Sequence, residues 1–235
     1  MPLMKLRLAV PDTLVDIGRV SELSHISEHD GHVAIGAMTT HDEIARSGVL
    51  AASVPLLAHV AGRIGDPQVR HCGTIGGSLA HADPAADLPA AMLALDATLV
   101  ARGPAGSREI AAADFFLGLF ETALAPGELL TEIRIPTPAS AGWSFQKFSK
   151  RGIDWAIVGV AVQGGNVGLV NMGSTPLRAS ATEQALASGA TPGAAAAHAA
   201  EGTSPSDDLN APRAYREHLA RVLVRRALEE AGSRA

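Results

Sequence analysis

An α+β architecture in two units, residues 1–138 and 139–235, is what this sequence predicts, and three observations carry the prediction. The pattern changes at Pro136-Thr-Pro-Ala-Ser-Ala-Gly142, where two prolines stop a strand and small residues follow. Beyond it come three short apolar runs, the last two joined by Gly164-Gly165, a two-residue hairpin signal that makes their pairing antiparallel. The chain closes on a long helix, flagged by Asn210 and Pro212 before it and by Gly232 just past it. A larger mixed unit is therefore followed by a smaller antiparallel sheet with helices on one face.

Taken in order, Leu6 to Leu8, Leu14 to Ile17 and His32 to Gly36 read as strands of a small sheet, separated by Pro11-Asp12 and by the polar Glu28-His-Asp-Gly31 turn. Thr40-His-Asp-Glu43 is a capping box, so a helix opens there. Pro55 to Arg63 carries Leu56, Leu57, Val60 and Ile64 at helical spacing. Pro84 to Leu95 reads as a helix with Asp83 as its N-cap, and Ala97 to Ala101 with Ser107 to Ile110 as a hairpin. Leu129 to Ile135 is a strand ended by Pro136. In the second unit the strands are Trp143 to Ser149, Ala156 to Gln163 and Asn166 to Met172, and helices cover Arg178 to Ala187 and Pro192 to Ala200. The last helix, Pro212 to Ala231, sets Tyr215, Leu219, Val222, Leu223 and Ala227 along one face.

Composition excludes several functions. The 235 residues carry 19 Lys and Arg against 24 Asp and Glu with no long run of one sign, so the electrostatic footprint of a nucleic-acid binder is missing. No apolar run reaches the ~18 residues of a membrane span, and Met1-Pro-Leu-Met-Lys5 has no signal-peptide core, so a cytoplasmic protein is expected. The single Cys72 forms no internal disulfide and cannot alone hold an iron–sulfur cluster, which takes four thiolates.

Chemistry concentrates in Arg70-His-Cys-Gly-Thr-Ile-Gly-Gly-Ser78. Glycines let successive amides turn into one concavity, a nest suited to a phosphate or a flavin edge. The loop is neither a P-loop nor a G-x-G-x-x-G fingerprint, and by itself it reads as a turn before it reads as a nest. Asp87, in the first turn of its helix, reads as a dipole partner. His41 and His218 are assigned capping or surface roles, since no histidine stands at metal-ligand spacing. Cys72 reads as a half-buried thiol. Lys147, within Phe145-Gln-Lys-Phe148, reads as a strand residue whose charge points away from the Phe face.

Several stretches resemble one family: IGDPQVRHCGTIGGSLAHADPAADLPA at 64–90, LLTEIRIP at 129–136, FQKFSKRGIDWAIVGVAV at 145–162, STPLRA at 174–179 and YREHLARVLVRRALEEA at 215–231. Together they are similar to the FAD-binding medium subunit of molybdenum hydroxylases, the carbon monoxide dehydrogenase and xanthine dehydrogenase group. The resemblance implies an FAD-binding domain of the vanillyl-alcohol-oxidase (PCMH) type and then a smaller α+β domain of the carbon monoxide dehydrogenase flavoprotein type. It implies an electron-transfer subunit whose FAD passes electrons from [2Fe–2S] clusters of a small partner subunit to an external acceptor. Molybdopterin would sit in a large partner subunit, in paired heterotrimers. Position by position, Thr74, Ile75, Gly76, Gly77 and Ser78 match the family's second FAD loop and Asp87 its FAD-contacting acid, while Ile64, Leu130 and Lys147 match flavin-lining positions of the xanthine dehydrogenase branch. Arg70-His71-Cys72 departs from the family's usual residues before that loop. So does the start: the family's first βαβ unit and its Ala-Gly-Gly-x-Ser-Leu pyrophosphate loop are not in this sequence. Losing several charge-assisted bonds of ~1.5–3 kcal/mol each would weaken FAD about a thousandfold or more, so impaired binding is expected. A scaffold subunit without flavin and a stand-alone flavin oxidoreductase remain as alternatives.

Overall fold

The computed structural model describes residues 2–137 and 141–234, and the expected unit boundary at 138/139 lies outside them. Among the described residues the first part runs α1 (Pro2–Lys5), β1 (Ile26–His29), β2 (His32–Gly36), α2 (His41–Arg46), α3 (Gly48–Ser53), α4 (Pro55–Gly62), α5 (Pro67–Cys72), α6 (Ile75–His81) and α7 (Asp87–Ala94). It continues through β3 (Thr98–Gly103), β4 (Gly106–Ala111), α8 (Ala112–Phe115), β5 (Phe116–Gly118), β6 (Glu121–Thr122) and β7 (Leu129–Pro136). The second part comprises β8 (Trp143–Phe148), β9 (Val158–Gln163), β10 (Asn166–Val170), β11 (Leu177–Arg178), α9 (Ser180–Ala187), α10 (Pro192–Ala196) and α11 (Arg213–Ser233).

Two larger antiparallel sheets result, one ordered β1-β2-β7-β3-β4 and the other β11-β10-β9-β8, beside the two-stranded pair β5-β6. The expected α+β class holds, with one difference at the start. Leu6 to Leu8 and Leu14 to Ile17 form no strands, and Leu6, Leu8, Val10, Leu14 and Val15 are exposed; the first strand is instead β1, which pairs with β2 in a hairpin. Alternating apolar residues become a strand only where a partner edge meets them. The capping box is present as expected: Thr40 Oγ1 accepts from the Glu43 amide at 3.2 Å, and the Glu43 carboxylate accepts from the Thr40 amide at 2.7 Å. Thr40→Ala removes the first of these, and the urea-unfolding midpoint should report a loss of about 1 kcal/mol.

Helices α2 to α7 form a layer between the two sheets, and strand alternation explains how the second sheet serves two cores. In β9 and β10, Val158, Val160, Val162, Val167 and Leu169 pack with α10 and α11, whereas Ala161 and Val170 belong to the core of the helical layer and first sheet. The small residues let α7 come very close. A methyl group at Gly168 would be driven into the Ala90 carbonyl, 2.9 Å from its carbon. Polar bonds fix both ends of this contact: the Asn171 amide donates to Pro84 O (2.7 Å), Asn166 Nδ2 to Ala94 O (3.1 Å) and Arg178 to Leu93 O (3.2 Å). The last two satisfy carbonyls at a helix end that carries no glycine cap. Across the sheet, Arg216 rather than Tyr215 is the buried residue near the start of α11; it donates to both Asp208 carboxylate oxygens at 2.8 Å and to Ile157 O at 2.6 Å. Tyr215 is instead partly exposed, its ring edge-on to Phe148.

Candidate functional site

The glycine-rich stretch at 73–78, which by itself reads as a turn before a nest, contains a helix N-terminus. Thr74 is the N-cap of α6, its hydroxyl accepting from the Gly77 amide at 3.1 Å. The Ile75 amide donates to Thr39 O (3.0 Å), the Gly76 amide to Ala37 O (2.8 Å) and the Ser78 amide to Thr74 O (3.0 Å). With the Gly73 amide donating to Val69 O, five of the six amides of 73–78 have partners within the chain. Ile75 lies in the core, and Gly76 is needed for contact, since a Cβ there would fall 2.5 Å from that of Ala37. A Thr followed by a short helical run carried this signal, but the three glycines hid it.

A cavity of about 510 Å³ opens between α5, α6, the start of α7 and the β8–β9 loop. Thr74, Gly77, Ser78, Asp87, Ile64 and Lys147 all line it. Ile75, Gly76 and Leu130 are not part of its lining; Leu130 is buried in β7, opposite Ala101. The cavity also takes in residues that the sequence did not single out for a site: His41, Ile153, Asp154 and Trp155. Trp155 is 60% exposed, and an aromatic in the polar Gly152-Ile-Asp-Trp155 stretch was the available signal. Cys72 lies exposed on the same wall, not half-buried.

At its base Lys147 Nζ donates to Asp87 Oδ2 at 2.6 Å, the two side chains being 4% and 5% exposed. Strand period two places Lys147 on the face of Phe145, which packs in the helical layer, while Ser144 and Gln146 turn to α11 and donate to Glu230 at 2.7 and 2.6 Å. The lysine thus shares the Phe145 face rather than avoiding it. Asp83 is not a helix N-cap: α7 begins at Asp87, and Asp83 Oδ1 accepts from the Ala85 amide in a turn at 2.9 Å. Burial pushes the Asp87 carboxyl above its ordinary pKa, opposed by the Lys147 charge and hydrogen bond. Asp87 Oδ1 has no hydrogen-bond partner among the described residues. The site is thus a largely apolar slot with one buried acceptor free at its base.

Residues 1–138 match the family model described as the FAD binding domain in molybdopterin dehydrogenase, and residues 143–231 match the CO dehydrogenase flavoprotein C-terminal domain. The chain belongs to the FAD-binding flavoprotein subunits of the molybdopterin dehydrogenases. This flavoprotein subunit is 40% identical, over 100% of its own length and 86% of the relative's, to the carbon monoxide dehydrogenase medium chain of Afipia carboxidovorans. It also resembles the solved carbon monoxide dehydrogenase of Hydrogenophaga pseudoflava, with TM-score 0.96, 42% identity and coverage of 100% and 86%. Quinoline 2-oxidoreductase from Pseudomonas putida 86 superposes at TM-score 0.91 with 35% identity, covering 99% of this chain and 86% of that one. The flavoprotein subunit is accordingly an oxidoreductase component, and its fold is the PCMH-type FAD-binding domain with a carbon monoxide dehydrogenase-type C-terminal domain.

Proposed function

We propose that the cavity at the α6–α7–β8 junction holds the flavin end of FAD, and that the subunit passes electrons from [2Fe–2S] clusters in a small partner to an external acceptor. The single observation that carries this reading is the orphaned Asp87 Oδ1 at the base of an otherwise apolar slot. A planar ring with polar N–H edges suits such a slot: Ile64, Val69, Ile153 and Trp155 give apolar contact, and the carboxylate gives one fixed acceptor. Gly65, Gly73 and Gly77 leave that wall without bulk. Bound there, FAD would accept electrons singly from one-electron clusters and hold two for delivery to an acceptor; the protein would supply position and electrostatics.

Within this reading Asp87 binds and orients, and the Lys147 charge and hydrogen bond oppose the burial that favours its neutral form. Thr74 and Ser78 offer hydroxyls at the rim. With a single cysteine, the chain leaves iron–sulfur chemistry to a partner, which supports a complex with a small cluster-bearing subunit and a large molybdopterin subunit. Among the described residues no helix is long and apolar enough to cross a membrane, consistent with the cytoplasmic site we assign to the complex.

Tryptophan emission tests the reading. The chain has two tryptophans, and Trp155 lies on the cavity while Trp143 does not. FAD added to flavin-free protein should quench the emission saturably, and Trp155→Phe should remove most of the quench while leaving flavin retention on a desalting column. Failure to retain flavin or to quench would favour the scaffold alternative.

A further inference from the structure

We propose that His41 is a positioning residue for the flavin nucleotide, hydrogen-bonding a ribityl hydroxyl or a phosphate oxygen from the wall of the cavity. This rests on the FAD reading above and concerns a side chain that reading does not use. His41 is 4% exposed yet lines the cavity, and neither ring nitrogen has a hydrogen-bond partner among the described residues; Nδ1 is wholly buried. The sequence placed it in a capping role, but the cap is made by its neighbours Thr40 and Glu43, and the imidazole takes no part.

Its placement is held from three sides. Its own amide donates to Gly73 O at 2.9 Å, the Ile75 amide donates to Thr39 O, and Thr40 bridges Thr74, so residues 39–41 run as a short ribbon against 73–75. The ring then lies over Gly73, where a Cβ would come within 2.8 Å of Cδ2 and Nε2. A side chain at 73 would displace the imidazole from the wall. Burial lowers the His41 pKa to about 4, so at neutral pH the ring is uncharged, with one N–H donor and one acceptor. A buried, neutral, double-ended group without partners is costly to keep unless something binds it. The cavity that it faces is the place from which a partner can come.

The test uses the purified full chain, freed of flavin, and three probes: riboflavin, FMN and FAD. His41→Leu fills similar volume without polar atoms, so the flavin-free protein should melt no lower than the parent. Its dissociation constant should nonetheless rise about five- to tenfold, the size of one lost hydrogen bond. His41→Gln, which keeps an amide near the Nε2 position, should recover part of the loss, as a purely structural role would not. A loss shared by all three probes assigns the bond to the ribityl chain, and a loss confined to FMN and FAD assigns it to the phosphate. If His41→Leu binds every probe as the parent does, or if its flavin-free form unfolds readily while His41→Gln recovers melting but not affinity, the assignment to the nucleotide is wrong. If the parent itself binds none of the probes, the FAD reading fails first.

Discussion

Lys147→Met lowers the stability of the folded chain by about 3 kcal/mol, because it leaves the almost fully buried Asp87 carboxyl without its charge partner. The pair is 2.6 Å apart and both side chains are almost fully buried. Removing one partner of such a pair costs more than the pair contributes, since the remaining charge keeps its desolvation penalty. Asp87→Leu combined with Lys147→Met should therefore recover most of the loss, while flavin affinity stays low because the acceptor is gone. The pH dependence has a definite sign. Burial already raises the Asp87 pKa, and losing Lys147 removes the two largest opposing influences. The folded variant then holds a proton that the unfolded chain sheds above about 4, so its stability falls as pH rises above the ordinary carboxylate range. The gap between parent and variant should narrow toward acid pH. Urea titrations at several pH values measure it, and a gap independent of pH would sink the argument.

Gly168→Val should be comparably severe, at about 3 kcal/mol or more, through contact alone. Any Cβ at 168 meets the backbone carbonyl of Ala90, which no rotamer change can move aside, and the three bonds from Asn171, Asn166 and Arg178 hold α7 against the sheet. To accept the side chain, α7 must lift, and Asp87 at its first turn moves away from Lys147. The expected signature is a lower thermal midpoint together with weaker flavin retention, although residue 168 is not part of the cavity wall. Retention at the parent's level in a destabilised variant would show that α7 does not transmit the strain.

How far the residues announced these features varies with the range of the interactions behind them. The capping box at 40–43, the hairpin at Gly164-Gly165 and the terminal helix are written within a few neighbouring positions and are present, although the helix runs through Gly232 to Ser233 instead of stopping before that glycine. Leu6 to Leu8 and Leu14 to Ile17 carry short apolar runs as strands do, but pairing depends on a partner that local pattern does not specify. The site was legible mainly through resemblance to a family. Asp87 and Lys147 lie 60 positions apart, and nothing in either neighbourhood announces the other. A shift of one position in strand phase was enough to misdirect the lysine. His41 was hidden by its own surroundings, since a residue inside a capping box reads as part of the cap. Gly73 to Gly77 misled in the opposite way, because their glycines serve close packing of backbone as much as any ligand.

The helical layer caught between two sheets has a further consequence, for the timing of cofactor loading. Asp87 leaves the ribosome long before Lys147, and β8 finds its outer cover only when α11, ending at Ser233, has docked through Glu230. The strand that carries Lys147 to the cavity is thus covered by a helix that lies far downstream of it in the chain. A nascent chain holding only the first sheet and its helices has part of the cavity lining, so on the proposed reading FAD insertion waits for β8 and the α11 that covers it.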